Sequence, residues 1–124
     1  MLTNAGKDAI AALVGNAAKY VAVTANASAA VATDTTLTGE IATAGGGLLR
    51  AAGTYAHTGG TSTYTITKTF TANGSDSLPV TLAKTGYFDA SSSGNLVFET
   101  LLSATATLSA SGDNVTITQT ATLS

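Results

Sequence analysis

At 124 residues and 44% hydrophobic content, the chain has the size of one domain, large enough to bury roughly two-thirds of the surface its unfolded form exposes. Charged residues make up only 10% of it, against about 25% in an ordinary soluble domain, and a net charge of −2 is too small to recruit nucleic acid or an anionic membrane. Cysteine is absent, which excludes disulfides, thiolate zinc sites and thiol nucleophiles, and no apolar run approaches the roughly 20 residues that span a bilayer.

Asn4–Val14 reads as a short helix. Ile10, Leu13 and Val14 fall at the i, i+3, i+4 spacing of an apolar stripe, and Ala9, Ala11 and Ala12 favour the helical state. Thr3 or Asn4 can cap its start and Gly15 can stop it. Lys7 and Asp8 ahead of so short an alanine-rich stretch do not resemble a secretory signal, so a cytosolically made protein is expected. Residues 1–15 are thus expected to form a helical segment ahead of one β domain, 16–124.

That domain opens with a strand over Ala18–Thr24. Residues 25–47 then form a loop of Gly, Ala and Thr, in which Thr33 or Asp34 could cap one helical turn burying Leu37 and Ile41. A structureless stretch of this length is usually either functional or misread as a loop, and the triplet Gly45–Gly47 orders only at high entropic cost. Neither the helix nor the loop buries enough of its own surface to offset ordering entropy of about 1–2 kcal/mol per residue. Both are expected to become fixed by contact with a neighbour.

From Leu48 onward the pattern has period two. Tyr64, Ile66, Lys68 and Phe70 alternate with Thr63, Thr65, Thr67, Thr69 and Thr71, and Val115, Ile117, Gln119, Ala121 and Leu123 with Thr116, Thr118, Thr120 and Thr122. Alternate strand side chains point to opposite faces. One face therefore enters a core, while the other is coated with hydroxyls and methyls instead of charge. Strands are expected over Leu48–Thr58, Thr61–Ala72, Leu78–Phe88, Leu96–Leu102, weakly over Thr105–Ser109, and over Val115–Leu123. Turn signals at His57-Thr-Gly-Gly60, Asn73-Gly-Ser-Asp76, Asp89–Gly94 and Ser111–Asn114 separate them. Short strands at this spacing indicate an all-β, antiparallel β-sandwich, jelly-roll or Ig-like, carrying a short N-terminal helix.

Catalytic signals are weak. His57, the one histidine, reads as a solvent-facing turn residue, and no nucleophile elbow accompanies it. Asp34, Asp76, Asp89 and Asp113 stand where turns favour aspartate. Lys68 reads as a strand-end or edge lysine with its stem on Tyr64 and Ile66, the alternative being an inter-subunit salt bridge. Tyr20, Tyr55, Tyr64, Tyr87, Phe70, Phe88 and Phe98 could form a sugar platform, but strand aromatics are more often core. No enzyme activity, cofactor or metal is expected.

The order Leu2–Asp8, Tyr20-Val-Ala-Val23, Thr33-Asp34-Thr-Thr-Leu37-Thr-Gly-Glu40-Ile41, Leu49-Arg50, Gly86-Tyr87-Phe88-Asp89 and Gly112–Ile117 resembles a family of small tailed-bacteriophage virion proteins, the head-decoration (cement) or tail-fibre-like proteins. Tyr87 stands where that family's corner usually has an apolar residue, and Lys84-Thr85 where an acidic residue often precedes the glycine. The resemblance implies a non-enzymatic cement protein on the capsid surface of a virion. It implies as partners the major capsid protein and copies of the chain itself, a trimer in the first instance. Tail fibre, tail adaptor or a carbohydrate- or receptor-binding module is the alternative. The interface residues expected are Leu2, Ile10, Leu13, Val14, Leu37, Ile41 and Arg50.

Overall fold

The computed structural model describes residues 1–123. The helix α1 (Asn4–Ala17) precedes strands β1 (Tyr20–Thr24), β2 (Ala51–Ala52), β3 (Thr54–His57), β4 (Thr63–Thr71), β5 (Val80–Phe88), β6 (Leu96–Leu108) and β7 (Asn114–Thr122). They form a four-stranded sheet ordered β2-β1-β5-β6 and a three-stranded sheet ordered β3-β4-β7, with antiparallel pairing throughout. The expected all-β sandwich with one short helix is what forms. Val21, Val23, Leu82 and Tyr87 of the larger sheet share one core with Tyr64, Ile66, Phe70 and Ile117 of the smaller.

The threonine ladder lies on the outer face of the smaller sheet. Thr69 pairs with Thr116 and Thr67 with Thr118 across the strands, and the hydroxyls of Thr69 and Thr116 are 2.8 Å apart. Beyond Thr67, β4 has no β3 residue beside it, so half-buried Lys68 sits where the strand becomes an edge. Its ammonium lies 5.7 Å from the Phe70 ring.

Three segments differ from the expectations above. The helix runs through Gly15 to Ala17, capped by the Thr3 hydroxyl, which accepts the Gly6 N–H. Gly15 is not a stop: it is buried against Tyr55, and a Cβ there would lie 2.3 Å from the ring. The docked face is therefore Ala11, Val14, Gly15 and Ala18, with small residues admitting close approach to Tyr55 and Tyr64. Leu48–Thr58 is not one strand. Gly53 breaks it, sending β2 to one sheet and β3 to the other. There the chain passes so near its neighbour that a Cβ would come within 3.0 Å of the Thr67 carbonyl. Conversely, Leu96–Leu108 is a single strand rather than two.

Residues 25–47 contain no helical turn, but neither do they lack support. Leu37 is buried with Ala22 and Phe88 on the outer face of the larger sheet, with Tyr20 and Leu96 at the margin. Thr24 is fully buried, and its hydroxyl bonds the carbonyls of Thr38 and Gly39. The Ile41 N–H donates to the Val23 carbonyl. The loop thus covers the sheet and continues its pairing beyond β2, which corrects the expectation that the helix and loop need a neighbour for order.

The glycine triplet has a steric purpose at its last member. A Cβ on Gly47 would sit 1.8 Å from the Thr71 carbonyl oxygen, and the Gly47 N–H donates to the Asp76 carboxylate at 2.9 Å. Because the obstacle is backbone, it cannot rotate away. Gly47→Ala is expected to destabilise the protein by about 3 kcal/mol, at the upper end of overpacking costs, read as a lower urea midpoint. Gly74→Ala, which meets nothing within 4 Å, is the control and should change little.

Candidate interaction surface

Three polar clusters fix the long connections and so decide which surface remains free. The first ties the helix to the β3–β4 turn. Asp8 on α1 lies 2.8 Å from His57 Nε2 and accepts the Gly60 N–H at 2.7 Å, while His57 Nδ1 lies 2.8 Å from the Thr63 carbonyl. Both ring nitrogens face acceptor oxygens, an arrangement fully satisfied only by the imidazolium. The Asp8 carboxylate, and after it the Thr63 carbonyl, raise the His57 pKa; His57 and the Gly60 N–H hold Asp8 below the usual carboxylate range. His57 is therefore not solvent-facing: its side chain is 8% exposed. Its partner lies 49 residues away in the chain, a pairing that no local pattern announces.

The second cluster centres on Arg50. Its guanidinium binds both carboxylate oxygens of Glu40, at 3.0 and 2.8 Å, donates to the carbonyls of Ala90 and Ser93, and lies 3.5 Å over the Phe88 ring. A planar fork saturating a carboxylate, two carbonyls and an aromatic face is a use that lysine could not replace. Arg50 pins the 25–47 loop and the 89–95 turn to the sheet.

The third lies under the loop. Lys84 on β5 is 1% exposed and the Glu99 side chain on β6 6%. Glu99 stands opposite Gly86, and Lys84 opposite Leu101, so the two are diagonal neighbours on one face. Gly86 adds no side chain to that face, where a Cβ would meet Leu96 and Leu37. Nζ lies 2.5 Å from Glu99 Oε1, yet that oxygen is not aligned to accept a hydrogen bond. Asp34 on the loop closes the group. The Val31 N–H, and next the Glu99 carboxyl, hydrogen-bond to it and hold its pKa below the usual range. Asp76, Asp89 and Asp113 do what the sequence reading gave them, each accepting backbone N–H groups within its turn.

Of the seven residues expected at an interface, Leu37 belongs to the chain's own core, Ile41 packs against it, and Arg50 is saturated internally. Leu2 is half-buried against the first turn and Val14 packs inward. Only Ile10 and Leu13, the latter 73% exposed, face outward from the helix. The remaining large exposed apolar side chains include Val31, Val97 and Leu101. Val31 and Val97 border a cavity of about 320 Å³ that reaches Asp34 and Glu99. Sequence reasoning missed this patch because Val31 joins it from a loop that carries no periodicity.

The sheet edges are unequal. β2 and β3, at two and four residues, end one side of the sandwich. β6 and β7, at 13 and nine residues, end the other, flanking a groove of about 410 Å³ lined by Thr100, Leu102, Ala104, Thr116 and Thr118 among others. The only charged residue in either strand is Glu99, whose carboxylate is turned inward. Long edges without exposed lysine or proline are open to pairing with another chain. Comparison with protein-family models, curated proteins and solved structures found no match.

The His57–Asp8 clamp should be pH-dependent. A raised His57 pKa means that the clamp's contribution is complete below the ordinary imidazole pKa and is lost as pH rises through the raised value. The lowered Asp8 pKa means a contribution present above the ordinary carboxylate range and lost as pH falls through the lowered value. Docking of α1 is strongest between these limits. An NMR titration of the imidazole should give His57 a pKa above that of a free histidine, and Asp8→Asn should move it down. An unshifted titration in Asp8→Asn would contradict this geometry.

Proposed function

We propose that the chain is a structural virion protein, a capsid cement protein that sits on the head as a homo-oligomer and clamps neighbouring major capsid subunits. The observation that carries this reading is the pair of long, uncharged edges β6 and β7, side by side at one margin of the sandwich. They adjoin a threonine-coated face that presents hydroxyls and methyls to a partner. A free monomer with two such edges is prone to edge-to-edge association; a closed ring of copies removes that liability and buries the groove between them. The resemblance of the chain's motifs to the phage head-decoration family points the same way. Within this reading the copies meet through β6 and β7, and the outward side chains Ile10 and Leu13 of α1 are offered to the capsid. Tyr64, Tyr87, Phe70 and Phe88 are core residues, while Tyr20, Tyr55 and Phe98 are half-buried.

Light scattering on the purified chain at micromolar concentration should give a trimer. Thr118→Lys on β7 and Leu101→Lys on β6, both exposed, should dissociate it with a change in monomer stability within about 0.5 kcal/mol. Mixed with particles assembled from the capsid protein of the same virus, the wild-type chain should decorate the head in negative-stain images, and Leu13→Asp should reduce decoration. A monomer that leaves particles bare would overturn the proposal.

A further inference from the structure

Lys84 and Glu99 are buried, in contact, and unused by the reading above. We propose that they form an intramolecular isopeptide bond, the Lys84 amine joined to the Glu99 side-chain carboxyl, with Asp34 as the proton acceptor. Three observations carry this. First, the N···O separation of 2.5 Å is shorter than the about 2.7–2.9 Å of an ammonium–carboxylate hydrogen bond. It approaches the ~2.2 Å between nitrogen and oxygen that amide bond lengths impose. Second, the contact lacks hydrogen-bond alignment, leaving Glu99 Oε1 without a proper donor. Third, both groups are more than nine-tenths buried, where an isolated ion pair is poorly compensated for lost hydration and a neutral amide is not.

The chemistry needs no co-reactant. Asp34 and Glu99 line one cavity, and the reaction requires Glu99 as the neutral acid and Asp34 as the carboxylate base. Asp34 takes one proton from the Lys84 ammonium, and the freed Nζ lone pair attacks Glu99 Cδ. The Nζ–Cδ bond forms and the Cδ–OH bond breaks. The hydroxyl leaves with a second proton from nitrogen as water, and the amide retains the third. Asp34, left protonated, returns its proton to solvent through the cavity that reaches it and Glu99, which is also the exit for the water. Gly86, opposite Glu99, adds no side chain to the face that Lys84 and Glu99 share. The product ties the edge strand β6 to β5 covalently, so that the edge cannot peel from its sheet under load.

The test is the mass of the purified full-length chain under denaturing conditions, followed by peptide mapping. The expected mass is one water below that of the sequence. Trypsin should fail to cut after Lys84, and one branched peptide should contain Lys84 and Glu99. Lys84→Arg should have the mass of its unmodified sequence, and Asp34→Asn should accumulate the uncross-linked form. The wild-type measurement alone decides the matter if the variants fold poorly. An unmodified mass with normal cleavage at Lys84 would overturn the proposal, as would a water loss mapping to any other pair, Lys84 with Asp34 included.

Discussion

Strand β5 is covered on both faces, and the rest of the molecule is arranged around that requirement. From Leu82 to Phe88 seven consecutive residues are buried. Leu82 and Tyr87 enter the space between the sheets, while Phe88 faces the loop side with Ala22 and Leu37. A sandwich strand normally shows one face to water. Here the second face has been given a cover made from residues 25–50, and the cover must be held down. Arg50 does this from one end through Glu40 and the 89–95 turn, and Thr24 from the other through the Thr38 and Gly39 carbonyls. Burying Lys84 and Glu99 beneath it is the electrostatic consequence. On the opposite face the Tyr87 hydroxyl is buried between the sheets, where desolvation pushes its pKa up to about 12.

This arrangement redistributes the surface available for assembly. The helix and the loop, which composition alone would offer to a partner, are largely consumed in completing the domain. What remains is the outward pair Ile10 and Leu13 on α1, the cavity rim of Val31 and Val97, and the margin formed by β6 and β7 with exposed Leu101. A weakly charged chain with seven acidic and five basic residues also commits much of its charge to its own contacts: Arg50–Glu40, Lys84–Glu99 and Asp8–His57 all pair within the chain. The outer face of the smaller sheet is left with hydroxyls and methyls in place of charge.

Much of the fold was legible in the sequence because period-two and i, i+3, i+4 patterns report which side of an element faces apolar surroundings. The threonine alternation located β4 and β7, the choice of Thr3 or Asn4 as cap the start of the helix, and the aspartates their turns. What was not legible is set by distance along the chain. Gly15 resembles a helix stop until Tyr55, 40 positions on, is found against it. His57 looks like a turn residue until Asp8 is brought beside it. Arg50 resembles a free anchor until the fold supplies Glu40, Ala90 and Ser93. Lys84 registers in the sequence only as a departure from the family's corner motif, and nothing near it shows that a loop would roof it. Periodicity describes an element's faces but not what covers them, so the candidate interface moved from the loop to the strand edges.

The claim on which everything rests is that residues 25–50 are a structural cover of the larger sheet in the free chain. Amide hydrogen exchange on the isolated protein addresses it directly. The account requires slow exchange at the Ile41 N–H, which donates to Val23, and at Gly47, which donates to Asp76, together with slow exchange throughout β1 and β5. Exchange across 25–50 at the rate of an unstructured peptide, with β5 exposed alongside it, would contradict the account.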